Sequence, residues 1–348
     1  MKDHLNRRDF LKTTVGAGAV LMAGGLLSGT KNAYGAVKLA ELDKLVITII
    51  TDNYYDALRP DAPITKRFRT APGQWMHAEH GLSYFIETAS NGKTSGFMFD
   101  YGLDAPGVQR NMDVLGLDVG KANAFGLSHG HFDHWGAMIA MLTTNRAKIK
   151  KGTPLYLGEG AFERRYSLVP GGTERLDIGQ LNKAEIEALD LVRVVEVKSP
   201  TEVIPGAYFS GNIERVTTYE KVPPSLLVKR GDAIVVDSFP GEQAMAFNVK
   251  GKGLVVLSSC AHSGIINSVK HVQKITGIEK VYAVMGGFHL VNAPQQVIDS
   301  TVADMKTINP EFIVPAHCTG FEATIAFAKE MPGKFILNTA GTKYTFAA

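Results

Sequence analysis

The stretch Leu127–Gly136, LSHGHFDHWG, constrains this chain more than any other, because it packs His129, His131, Asp133 and His134 into six residues. The residues just before it, Asn123–Gly126, run into Leu127 as a short apolar strand. Side chains at i and i+2 of an extended segment point to one side. His129 and His131 can therefore converge on one ion, while Asp133 and His134 reach a second position. Imidazole nitrogen and carboxylate oxygen suit zinc, iron or manganese. Read instead as a polar loop ahead of a helix, the stretch would bury three of the chain's ten histidines without partners, which is costly. Gly130 and Gly136 are expected to let the backbone bend close to the ions.

The remaining chemistry-bearing histidines follow a pattern. Apolar runs at Leu254–Leu257, Val281–Val284 and Phe312–Val314 read as strands, each followed by a helical segment: Ile265–Thr276, Pro294–Ile308 and Phe321–Glu330. Between strand and helix stand His262, His289 and His317 respectively. Binding sites gather at such carboxyl-terminal strand edges in α/β sheets. His271 falls mid-helix and is expected to be exposed; His4 lies near the N-terminus, and neither is given a role.

The H-x-H-x-D-H loop between strand and helix resembles the signature of the metallo-β-lactamase superfamily. Further segments resemble one branch of it: Asp52-Asn53, Glu79–Ser83, Ser258–Gly264, Gly286–Leu290 and His317–Gly320. That branch includes an archaeal enzyme joining a pterin to a ribofuranosyl-aminobenzene phosphate. The resemblance covers roughly residues 45–340. It implies an α/β fold, an αββα sandwich of two mixed sheets flanked by helices, with metal at one edge. It assigns His129, His131 and His262 to one ion and Asp133, His134 and His317 to the other. Asp100, closing the Phe97–Asp100 strand, takes the part of an aspartate that orients the metal loop from behind. Glyoxalase- and lactonase-type relatives carry an aspartate bridging both ions; none stands at the matching place here. Gly211-Asn212 lies where many relatives have a further histidine. A one-ion or an asymmetric two-ion site therefore stays open, and His289 is open as ligand, general acid or substrate contact.

Other strands are expected at Leu45–Ile50, Tyr84–Thr88, Pro154–Leu157 and Leu191–Val197, with a helix at Val108–Leu115. Residues 143–224 read as a pocket-shaping insertion in which Phe162–Gln180 is irregular and carries Arg164, Arg165 and Arg175. These arginines either meet an anionic substrate or are simply solvated. Ser225–Lys229 and Ala233–Val236 read as a hairpin in the second half of the sandwich. The long polar loop Tyr54–Glu79 is placed to wall the pocket. Cys260 and Cys318, the chain's two cysteines, each sit near a histidine at a strand end. They are read first as buried thiols and second as a metal ligand or a disulfide.

Asn6–Lys12, NRRDFLK, looks like a twin-arginine export signal, followed by the weakly apolar Thr13–Gly29 and small residues before Ala36. Residues 1–35 are thus expected to be a signal peptide and 36–348 the folded domain, exported to the periplasm by the twin-arginine machinery. An uncleaved N-terminal anchor is the alternative. The formal net charge of +3 comes from that segment, which leaves the rest near neutral and argues against nucleic acid or a membrane surface as partner. The expected function is a hydrolase that uses one or two divalent ions, zinc with iron or manganese as alternatives. It would activate water against a small-molecule phosphoester or cyclic ester, with Asp133, His289 and His80 as catalytic candidates. A pterin-synthase-like transferase and a non-catalytic metal-binding protein are the competing readings.

Overall fold

The computed structural model describes residues 37–169 and 171–348, so the proposed export signal lies outside the described residues. Period-2 alternation builds two large sheets, each with two apolar faces. In strand Lys44–Thr51, Leu45, Ile47 and Ile49 point one way and Ile50 the other. In strand Gly253–Ser258, Val255 and Leu257 face the sandwich interior while Leu254 and Val256 face helices.

The first sheet has eight strands in the order Val192–Val197, Thr153–Gly158, Ala122–Gly126, Lys93–Tyr101, Ser83–Ser90, Lys44–Thr51, Thr342–Ala347, Thr65–Arg67. The second runs Thr201–Ile204, Ala207–Phe209, Ala244–Val249, Gly253–Ser258, Val281–Gly287, Phe312–Ala316, with Glu41–Leu42 added beside Ala244–Val249. Both contain parallel and antiparallel pairs. The interior between them is aromatic-rich, with Tyr84, Phe97, Phe99, Phe209, Phe247, Tyr344 and Phe346 buried together. Helices Ile265–Thr276, Gln295–Ile308 and Phe321–Glu330 cover the second sheet. Ala105–Leu115, Met138–Thr144 and Lys183–Ala188 cover the first. The fold is the αββα sandwich expected from the sequence.

The stretch 143–224 differs from its reading as an insertion. Its strands Thr153–Gly158 and Val192–Val197 belong to the first large sheet, and Thr201–Ile204 and Ala207–Phe209 to the second. The segment read as irregular instead folds into strands Arg165–Leu168 and Arg175–Gly179. They join Leu226–Arg230 and Ala233–Val236 in a separate four-stranded sheet. The 225–236 hairpin is therefore not in the sandwich: Leu226–Val228 pair with Arg165–Ser167. Alternation in these strands is weak because much of the small sheet is solvated, which hid it in the sequence. Among the described residues no helix is long and apolar enough to cross a membrane.

Candidate metal centre

The metal loop is fixed from behind by Asp100. This residue, the last but one of strand Lys93–Tyr101, lies in the left-handed region, φ 57°, and is fully buried. Its Oδ1 accepts from the Ser128 backbone N–H at 2.7 Å. Its Oδ2 accepts from Ser128 Oγ at 2.8 Å, His134 Nδ1 at 2.7 Å and, across the sandwich, Ser259 Oγ. With its proton committed to Asp100, Ser128 Oγ accepts from His129 Nδ1 at 2.9 Å. One carboxylate thus sets the tautomer of two imidazoles and leaves each Nε2 lone pair free, the arrangement that orients metal-ligating histidines.

Three strand ends supply the opposite wall. Strands Gly253–Ser258, Val281–Gly287 and Phe312–Ala316 run parallel, with Ser258, Gly286 and Pro315 in register. The chain then leaves each strand through a non-glycine residue at positive φ: Ala261 at 58°, His289 at 44° and His317 at 50°. Such conformations cost about 1–3 kcal/mol each and persist where the surroundings over-determine them. At the Ala261 and His317 turns two buried carboxylates supply that restraint. Glu242 accepts from the backbone N–H groups of His262 at 2.7 Å and Ser263 at 2.6 Å. Asp52 accepts from His317 N–H at 3.1 Å and Asn338 Nδ2 at 2.7 Å, while Asn53 Nδ2 donates to His317 C=O at 3.1 Å. Burial raises the pKa of both carboxyls against these bonds.

The side chains meet in two groups. His129 Nε2 lies 3.2 Å from His262 Nε2, and the His131 ring is centred 4.8 Å and 4.7 Å from those two rings. In the second group Asp133 Oδ2 lies 3.3 Å from His317 Nε2, 3.6 Å from His134 Nε2 and 3.7 Å from His80 Nε2. The Sγ of Cys260 lies between the groups, within 4.8 Å of ligand atoms in both, and 3.1 Å from Cys318 Sγ. His289 Nδ1 is 3.7 Å from Cys260 Sγ, and its ring is 4.1 Å from that of His262.

These residues fit divalent ions. Donors of one tetrahedral zinc, each at 2.0–2.1 Å, lie about 3.3 Å apart, the spacing of the closest contacts in both groups. Buried nitrogens His134 Nε2, His262 Nδ1 and both nitrogens of His317 have no hydrogen-bond partner among the described residues. Burial, reinforced by neighbouring imidazoles and, at His129 and His131, by the Arg165 guanidinium, holds His129, His131 and His262 well below the ordinary histidine pKa, in the neutral form that binds metal. Burial would raise the Asp133 carboxyl, but His134, His317 and His131 hold it far below the usual range. Burial would also lower His317, yet Cys318 and Asp133 lift it to about 9. Asp133 and His80 form the open side: the Asp133 side chain is 10% exposed and that of His80 62%.

The structure thus brings together His129, His131, His262 and, beside them, Asp133, His134, His317, with His80 at the mouth and His289 behind His262. Several expectations change. His271 is buried, not exposed: its Nε2 lies 3.2 Å from Ser210 C=O, because helix Ile265–Thr276 lies beneath the 210–220 segment. Gly130 is required less by an ion than by Arg165, whose guanidinium fills the space a Cβ would take. Arg165 is itself buried, donating to Asp237 at 2.8 Å and to Gly160 C=O at 2.9 Å, so it braces the metal loop and is not available to a substrate. Arg164 is paired with Asp177. Phe239 stacks flat on His262, centroids 4.0 Å apart, and packs on His129 and His131.

Sequence reasoning missed Glu242, Phe239 and the Arg165–Asp237 pair, for which no local pattern exists. The Ser258-Ser259 pair before Cys260 and the strand-end Asp52-Asn53 were visible, without their roles. Because Glu242 holds only the His262 turn, Glu242→Gln is expected to weaken metal binding in the His129/His131/His262 group by about 10–100-fold. Binding of the other ion should change little. Stepwise titration with a coloured divalent ion reads the two equivalents separately, and equal loss from both would contradict that division.

The architecture and the histidine edge together define a protein of the metallo-β-lactamase fold. The chain is similar over 87% of its length to a solved metal-dependent hydrolase of the β-lactamase superfamily, covering all of that chain with a TM-score of 0.68 at 24% identity. It belongs to the family of the 7,8-dihydropterin-6-methyl-4-(β-D-ribofuranosyl)-aminobenzene-5'-phosphate synthase of Methanocaldococcus jannaschii. The two are 35% identical over 263 residues, 74% of this chain and 87% of the synthase. An uncharacterised protein of the same archaeon is 27% identical over 248 residues, 71% of this chain and 86% of that protein. No protein-family model matches the chain.

Proposed function

We propose that this chain is an exported metal-dependent hydrolase acting on a small phosphoester or cyclic ester, with a dinuclear site formed by His129, His131, His262 and Asp133, His134, His317. The observation that carries the reading is the open side at Asp133 and His80. A structural metal site is closed by protein ligands, whereas a catalytic one keeps a position for water or substrate. Bound divalent ions, zinc foremost, would supply Lewis acidity and bring the pKa of water towards neutrality. Asp133, kept anionic, accepts a hydrogen bond from the attacking water and orients it. Phe239 and the aromatic interior keep bulk water from the other side. His80, exposed beside Asp133, is placed to give a proton to a leaving group entering from solvent; His289, deeper and against His262, is the second candidate. The twin-arginine-like Asn6–Lys12 supports export of the folded chain, with the periplasm as its place of work.

A panel of phosphoesters and lactones assayed on the metal-loaded chain tests this reading. Absence of hydrolysis across the panel would reject it. Removing the true general acid costs about 10²–10⁴ in rate and hurts poor leaving groups most. His80→Gln is therefore expected to steepen the dependence of kcat on leaving-group pKa, and His289→Gln to leave it flat; the reverse result exchanges their roles.

The 35% identity to the pterin-linked synthase favours a second reading, a transferase that joins a dihydropterin to a ribofuranosyl-aminobenzene phosphate at the same site. Product formation from those two substrates, with simple esters left intact, would establish it in place of the hydrolase.

A further inference from the structure

We propose that Cys260 is a metal ligand, its thiolate bridging the two ion positions; this rests on reading the histidine edge as a dinuclear centre. Two dications held about 3.5–4 Å apart repel one another. The ligands assigned so far comprise five neutral imidazoles and one carboxylate, and Asp133 belongs to one group only. An anion between the groups is what the donor set lacks. Among the described residues Cys260 alone is shared by both imidazole groups. Its Sγ stands within 4.8 Å of ligand nitrogens of His129 and His262 on one side and of His134 and His317 on the other. His134 Nε2 and both nitrogens of His317 are buried with no hydrogen-bond partner among the described residues, and each of the two residues offers a ligand nitrogen within 4.8 Å of Cys260 Sγ.

The backbone leaves the thiol little freedom. Ser259 is tied to Asp100, Ala261 is fixed at φ 58°, and the His262 N–H is held by Glu242. Cys260 is thus clamped on both flanks, with its side chain buried at the seam between the sheets. On binding, the Cys260 thiol gives its proton to solvent and two sulfur–metal bonds form; no oxidant is involved. Cys318, with Sγ 3.1 Å away and also 3.4 Å from Cys260 C=O, neighbours that sulfur without reaching both imidazole groups. A thiolate bridge has a consequence for metal choice. Soft sulfur favours zinc or cobalt and disfavours manganese, which carboxylate-bridged sites accept more readily.

The test is cobalt(II) titration of the reduced full chain, followed by absorption, since thiolate bound to cobalt gives an intense near-ultraviolet charge-transfer band that imidazole and carboxylate do not. The wild-type chain and Cys318→Ser are expected to show the band, rising over both equivalents of cobalt. Cys260→Asp should bind both equivalents without it. Cys260→Ala should bind the second equivalent about 10–100-fold more weakly. Thermal melting of the apo variants confirms that each is folded, and Cys260→Asp, which keeps an anion in place, covers the case in which Cys260→Ala is not. A wild-type band that saturates at one equivalent makes Cys260 a terminal ligand and overturns the bridge. A cobalt-loaded wild type without the band, a band kept in Cys260→Asp, or a band lost in Cys318→Ser overturns the assignment while leaving the metal centre standing. A chain that binds no cobalt defeats the metal centre and the bridge together. None of these readouts depends on whether the enzyme hydrolyses or transfers.

Discussion

His131→Ala is expected to reduce the metal content of the purified chain from about two ions to one or fewer, and to lower kcat for hydrolysis by about 10³-fold. The ring of His131 packs 4.8 Å from His129, 4.7 Å from His262 and 5.1 Å from Phe239. Its loss takes one of the three imidazoles from that ion. The fold should survive, because His131 leads into the short helix Phe132–Trp135 and makes no side-chain capping bond there. Elemental analysis of wild type and variant decides the matter. Unchanged metal content in His131→Ala would remove this residue, and the grouping built on it, from the site.

The second large effect is expected at Asp100, which touches no ion position. Asp100→Asn replaces an acceptor of four hydrogen bonds by a group that must present N–H to one of them. If the amide oxygen takes the place of Oδ2, the amide NH₂ faces the Ser128 backbone N–H; if it takes the place of Oδ1, the NH₂ faces the His134 Nδ1–H; either way one buried donor is left unpaired. Such a loss costs about 1–3 kcal/mol in stability. The misoriented imidazoles should lower affinity for both ions by about 10–100-fold, because His134 is bound directly and His129 through Ser128. Competition with a chelator measures the affinity and thermal melting of the apo chain the stability. An Asp100→Asn chain with wild-type affinity would mean that the tautomers are set elsewhere.

The parts of this site legible in the sequence are those carried by local spacing. The H-x-H-x-D-H loop and three strand-end histidines are local patterns, and the apolar runs Leu254–Leu257, Val281–Val284 and Phe312–Val314 located their strands within a few residues. The parts not legible depend on tertiary approach. Glu242 and Asp52 act by accepting backbone N–H groups from 20 and 265 residues away, which no side-chain pattern announces. Arg165 looked like a solvated or substrate-facing charge because its partner, Asp237, is 72 residues distant, just past the end of strand Ala233–Val236 of the small sheet. His271 was misjudged for the same reason: its helix position is clear, but the segment lying over it comes from residues 210–214. The hairpin 226–236 was recognised as a hairpin and assigned to the wrong sheet, since turn chemistry fixes local pairing but not which edge the pair adds to.

The Asp100–Ser259 contact and the two imidazole groups all span the seam between the sandwich halves, with His129–His134 from one sheet and His262 and His317 from the other. An ion seated there is a rivet through both layers, so occupancy and cohesion of the whole domain are linked. A ligand that binds only the native state adds RT ln(1 + [L]/Kd), about 2.7 kcal/mol at a free concentration of 100 Kd. Stripping the ions should therefore loosen the docking of one half on the other, visible as faster amide exchange along Lys93–Tyr101 and Gly253–Ser258 together. The helices on the two outer faces, whose packing does not cross the seam, should keep their protection. Metal supply during folding would then decide how much of the chain reaches a durable native state.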